Sequence, residues 1–151
     1  MQLTGNKLLN ASPARVYGML MDPNVLAKIV PGVSSLEKIS DNSYKSTLSL
    51  KIGPVGGSFS GNLHLEDIVP DKSFTLKAQQ NSKIGNANAA VKIVLQEAAN
   101  NQTEVSFDGD VKLSGVLATM GQRVVGGVAN TLTKQFFNNL ESELTQGKAN
   151  E

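Results

Sequence analysis

The chain has no cysteine, no tryptophan and one histidine, His64, among its 151 residues. Without cysteine there is no disulfide, no thiol nucleophile and no thiolate ligand for zinc or an iron–sulfur cluster. A lone histidine leaves only carboxylates to complete a metal site, and neither a calcium-loop nor a zinc-helix spacing occurs. No metal and no cofactor are expected. Charge of one sign is also lacking: 14 Lys and Arg against 13 Asp and Glu give a formal net charge of +1. That removes the electrostatic footprint of a nucleic-acid binder. No run approaches the roughly 18 apolar residues of a membrane span, and the densest stretch, Ala89 to Leu95, is broken by Lys92. Met1 to Ser12 holds no apolar core of a signal peptide, so a cytoplasmic location is expected.

What remains is an ordinary globular composition, 40% hydrophobic and 18% charged. The length suits one domain, 1–151, with a polar, frayed tail from about residue 146. Gln2 to Leu9 reads as a short strand. Ser12-Pro13 and Asp22-Pro23 each place a capping side chain before a proline at the first helical position. They predict two short helices, the second ended by Pro31-Gly32. From Val33 the apolar period changes from about 3.6 to 2. Tyr44, Ser46, Leu48, Leu50 and Ile52 face one way, followed by Phe59, Gly61, Leu63 and Leu65. Phe74, Leu76 and Ala78 continue the pattern, then Ala87, Ala89, Val91, Ile93 and Leu95, then Val105, Phe107, Gly109, Val111 and Leu113. Each run has one apolar and one mostly polar face, as an antiparallel meander with one solvated side requires.

A long helix is predicted from about Val116 to Leu144, its stripe stepping through Leu117, Met120, Val124, Val128, Leu132, Phe136, Leu140 and Leu144. Gly126-Gly127 inside it points to a bend or a close contact. The architecture is therefore α+β: a seven-stranded antiparallel sheet around a long C-terminal helix, with two short helices between strands 1 and 2. Ser46, Gly61, Ala78, Ala87, Ala89 and Gly109 are undersized for inward positions. Either they let the helix lie close to the sheet, or they leave an apolar space that a guest can occupy.

Three segments carry a family likeness. They are Met21-Asp22-Pro23-Asn24-Val25-Leu26 with Val30-Pro31-Gly32-Val33 and Leu36-Glu37; the hairpin Gly53-Pro54-Val55-Gly56-Gly57-Ser58-Phe59-Ser60-Gly61; and Met120-Gly121-Gln122-Arg123-Val124 with Gln135-Phe136-Phe137. On these the chain resembles the CoxG-like family, named for the G-subunit of carbon monoxide dehydrogenase, in the START/SRPBCC superfamily, whose fold is the helix-grip. The resemblance implies a non-catalytic accessory or carrier protein for an apolar or lipid-like ligand, a quinone among the options. It also implies two partners, a molybdenum-containing dehydrogenase and the cytoplasmic face of the membrane. The alternative is a ligand-free protein that docks such an enzyme, using the short helices around Val25 to Val30.

Candidate lining residues of the pocket are Leu48, Leu50, Phe59, Leu63, Leu76, Val91, Phe107, Leu117, Met120, Arg123, Val124 and Val128, with Arg123 placed to reach a polar headgroup. Gly53, Pro54, Val55, Gly56 and Gly57 are the expected rim. This glycine-rich hairpin lacks the lysine and the following helix of a phosphate loop. His64, in the polar phase between Leu63 and Leu65, is expected on the surface with no triad to join. Asp108 and Asp110 read as a solvated face. Only Tyr44 and Ser46 put polar groups inward, too few for the chemistry of an enzyme.

Overall fold

In the computed structural model, which describes residues 1–149, seven strands and four helices follow the expected order. Strand β1 (Gln2–Leu9) leads into helices α1 (Pro13–Leu20) and α2 (Pro23–Ile29). Then come β2 (Val33–Ser40), β3 (Ser43–Ile52), β4 (Val55–Val69), β5 (Ser73–Ser82), β6 (Gly85–Ala98) and β7 (Gln102–Leu113). Helices α3 (Val116–Thr119) and α4 (Gln122–Ala149) close the chain. The expected frayed tail falls partly on residues 150–151, outside the described residues; the helix itself continues to Ala149.

Both helix starts behave as their dipeptides require. The Ser12 hydroxyl accepts from the Arg15 amide at 3.3 Å, and the Asp22 carboxylate accepts from the Asn24 amide at 2.9 Å, with proline next in each case. Sheet order is β1-β7-β6-β5-β4-β3-β2, every neighbouring pair antiparallel. Strands β2 to β7 are a meander, and β1 returns to the free edge of β7. Helices α1 and α2 therefore carry the chain from one edge of the sheet to the other.

The predicted helix from Val116 is in fact two. Gly121 adopts φ +86°, outside the helical region, and separates α3 from α4. The close contact expected as one option at Gly126-Gly127 is absent: α4 runs through both, and a Cβ added at either would meet nothing within 4 Å.

Two of the undersized inward residues have a backbone reason. A Cβ on Gly61 would collide with the Gln79 carbonyl, and one on Gly109 with the Ala90 carbonyl. At these points neighbouring strands come too close for any side chain. The main core joins α1, α2, the sheet and the C-terminal half of α4 through Leu9, Val16, Ile29, Phe74, Phe137 and Leu140, among others. A smaller cluster, Val55, Phe59 and Leu117, sits under α3. Polar braces hold the main core's end. Arg15 Nη2 donates to the Leu144 carbonyl at 2.7 Å and Asn139 Nδ2 to the Ile29 carbonyl at 3.1 Å. The fully buried Thr103 Oγ1 donates to the Ala11 carbonyl at 2.6 Å.

Candidate functional site

Between sheet and α4 lie two adjoining chambers of about 270 and 260 Å³, each partly open to the surface. The first is walled by Leu76, Val91 and Ile93 of the sheet, Val30 and Pro31 after α2, and three phenylalanines. Phe107 stacks on Phe137 at 5.8 Å, and Phe136 meets Phe137 edge-on at 5.4 Å. The second is walled by Val55, Phe59, Ala87, Val111, Leu113, Leu117, Val125 and Val128, with one glutamine, Gln80. Leu3, Leu48, Leu50, Leu132 and Thr133 belong to both. A cavity of roughly 150 Å³ with aliphatic and aromatic walls stays dry and takes benzene, so each chamber has room for more.

Polar groups on these walls are few and mostly spent. Thr133 Oγ1 donates to the Ala129 carbonyl at 2.8 Å. The amino group of Met1 donates to Asp110 Oδ1 at 3.2 Å and to the Val111 carbonyl at 2.8 Å. Gln80 is different. In the register, Gly61 stands opposite Ser46 on one side and Gln80 on the other. With no side chain between them, the Gln80 amide reaches over β4 and Nε2 donates to Ser46 Oγ at 3.0 Å. Its Oε1 has no partner although the residue is 8% exposed. A buried acceptor left in that state costs about 1–3 kcal/mol.

Eight of the twelve expected lining residues stand on chamber walls: Leu48, Leu50, Leu76, Val91 and Phe107 on the first, and Phe59, Leu117 and Val128 (with Leu48 and Leu50) on the second. Four do not. Leu63 faces inward but pairs with Tyr44 and Ala78 and packs on the main core. Met120 packs on the small cluster at the α3–α4 break. Arg123 and Val124 are exposed on the first turn of α4. A strict four-residue step turns about 40° around a helix each time. Over five steps the expected stripe winds off the buried face, and Val124 lies at the end that has left it.

The rim needs the same correction. The turn is only Gly53-Pro54, while Gly56 and Gly57 pair with Lys51 and Leu50 inside the ladder. Of the five expected rim residues, Val55 alone lines a chamber. The residues that sequence reasoning missed include Leu3, Leu132, Thr133, Phe136, Phe137 and Gln80. Gln80 had a legible signal: Phe74, Leu76, Ala78, Gln80 is one unbroken inward phase.

On the opposite, solvated face the structure does give His64 partners. Ser43 Oγ lies 2.6 Å from Nδ1, and Glu66 Oε2 lies 3.6 Å from Nε2. Glu66 is also paired with Lys77 at 2.7 Å, and that hydrogen bond holds its carboxyl below the usual carboxylate value. His64 retains 45% side-chain exposure, and none of these four residues lines either chamber. The arrangement is a cross-strand polar ladder. Asp110 is drawn to the Met1 amino group and Asp108 is exposed. Among the described residues no group of three or more His, Asp or Glu could hold a metal ion, and no helix is long and apolar enough to cross a membrane.

The family model for the carbon monoxide dehydrogenase G-subunit (CoxG) matches residues 5–145. A conserved protein from Geobacillus kaustophilus is similar in structure, with a TM-score of 0.94 and 29% identity, covering 97% of this chain and 96% of that one. A START superfamily protein from Mycobacterium smegmatis has a TM-score of 0.78 at 10% identity, covering 96% and 97%. This second likeness is one of fold alone. No curated protein matches the chain.

Proposed function

Because the chain belongs to the CoxG family of carbon monoxide dehydrogenase, we propose that it is a non-catalytic accessory protein that carries an apolar or lipid-like molecule between its sheet and α4. A quinone is one molecule of that class. The observation that supports this reading is the pair of adjoining chambers, whose walls are apolar except at Gln80, Thr133 and Met1. Affinity would come from burial: a guest covering on the order of 200 Å² of apolar surface gains about 5 kcal/mol before the losses of association. A molybdenum-containing dehydrogenase and the cytoplasmic membrane face are the partners proposed with it, on the strength of the family alone.

The rival, a ligand-free docking protein, gains little from the site first considered for it. Helix α2 buries Leu26 and Ile29 in the core and turns Asn24, Ala27 and Lys28 outward. The test is native mass spectrometry after mild purification, followed by uptake of a fluorescent apolar probe by the stripped protein. A co-purifying apolar molecule and saturable uptake are the expected results. An empty protein that takes up no probe but captures a molybdenum enzyme from source cells would replace the carrier by the docking reading.

A further inference from the structure

The charges of this chain nearly cancel in number but are not mixed in space. The β3–β4 turn, the β5–β6 turn, the end of β7, helix α3 and the start of α4 lie at one end of the sheet, where Val55, Phe59 and Leu117 cluster with Ile84, Leu113 and Met120. The Leu117 amide donates to the Ile84 carbonyl at 2.9 Å and ties α3 to the β5–β6 turn. This end exposes Lys51, Lys83, Lys112 and Arg123, and none of the four takes part in an ion pair among the described residues. The carboxylate that reaches it, Asp110, is held by the Met1 amino group. The far end, with the β2–β3, β4–β5 and β6–β7 turns, instead exposes Asp41, Asp67, Asp71 and Glu97 beside Lys38 and Lys72.

Exposed apolar groups stand among these cations. Val116 is 52% and Val124 37% exposed, and Pro54 is exposed at the β3–β4 turn. The same end walls the second chamber, through Val55, Leu113, Leu117 and Val125. Cations around protruding apolar side chains complement an anionic lipid surface, which attracts lysine and arginine to its headgroups and accepts valine at the acyl boundary. An acidic protein face would match the cations, but a bilayer also offers an apolar phase to a guest leaving the chamber. Resting on the carrier reading above for what passes through the mouth, we propose that this basic end docks on an anionic bilayer surface. The second chamber then faces the lipid, and its guest need not cross water.

The chain has no tryptophan, so Val116→Trp and Ile39→Trp each give a single fluorophore at an exposed site, the first at the basic end and the second, 58% exposed, at the acidic end. Each full-length variant is mixed with vesicles of pure phosphatidylcholine, or of phosphatidylcholine and phosphatidylglycerol in equal parts. A blue shift is expected for Val116→Trp on the anionic vesicles alone, reduced by added salt, and none for Ile39→Trp. Co-sedimentation of wild type with the same vesicles gives a second reading that needs no tryptophan. There, Lys83→Gln combined with Arg123→Gln should lower the affinity at least tenfold, since each cation near an anionic surface contributes about fivefold. Lys38→Gln combined with Lys72→Gln, at the acidic end, should leave it unchanged. Equal shifts from both ends, or an affinity that the Lys83 and Arg123 substitutions leave intact, overturn the proposal. So does a wild type that binds no vesicle, including one that binds an acidic protein instead. Each of these results leaves the carrier reading standing if the stripped protein still takes up the apolar probe. Docking by the basic end without probe uptake overturns the carrier reading and leaves the docking surface.

Discussion

From Phe137 to Leu144 one face of α4 is buried against α1, α2 and the sheet, closing the end of the first chamber with Phe137 and Leu140, whereas nearer its start Val125, Val128 and Ala129 cover the second. The packed end has Leu140 at 0% and Leu144 at 4% exposure, with Arg15 and Asn139 tying side chain to backbone across elements. The open end has Gly121 at the break, Gly126 and Gly127 with empty space beside them, and Val124 on the surface. One helix thus serves as a pillar along one half and as a lid along the other. The difference lies in side-chain volume and in where the polar braces are spent, and Phe137 and Leu140 belong to both the core and the wall of the first chamber.

The largest expected effect tests the pillar. Leu140→Ala should lose about 2–5 kcal/mol in chemical denaturation, as buried leucines do. Leu132→Ala, half-buried where Leu140 is fully buried and on the wall common to both chambers, should lose clearly less; equal losses would show that the two positions are packed alike. Thr103→Val should cost about 1–3 kcal/mol, because it strands the Ala11 carbonyl inside the packed end. Leu50→Phe, on the wall common to both chambers, should abolish uptake of an apolar probe while stability stays level or rises by up to roughly 2 kcal/mol through cavity filling. Gly126→Ala should stabilise by about 0.5–1 kcal/mol. Both backbone entropy and the free space beside it favour the added methyl.

The smallest effect concerns neither half but the solvated face. Hydrogen bonding from Lys77 lowers the Glu66 carboxyl from 4.5. A depressed carboxyl stabilises the fold above its unfolded value, and the contribution disappears as pH falls through the lowered value. Glu66→Gln should therefore change stability slightly at neutral pH and not at all once the carboxyl is protonated. A pH series of thermal melts reads this directly.

The fold was legible because its signals are local. Ser12-Pro13 and Asp22-Pro23 state their helices within two residues, and alternation from Tyr44 to Leu113 states the strands and their faces. The break at Gly121 was not legible, since Leu117, Met120 and Val124 keep a helical spacing across it. The site was legible on the sheet and less so on α4. A strand's period of two accumulates no error, while a four-residue step on a helix drifts steadily. That drift separates Val124 from Leu132 and Phe136. The pairing of Ser46 with Gln80 needed the register of three strands, which no single stretch of sequence contains.

The register of β1 also decides when in the life of the chain the interior exists. Gln2 to Leu9 pair with Thr103 to Asp110, on the far side of the whole meander. Such distant pairings close late and slow the folding of sheet proteins. Leu3 belongs to that strand and stands on the walls of both chambers. The space between sheet and α4 is therefore completed only after β7 has been synthesised, so a chain still growing on the ribosome has not yet closed it.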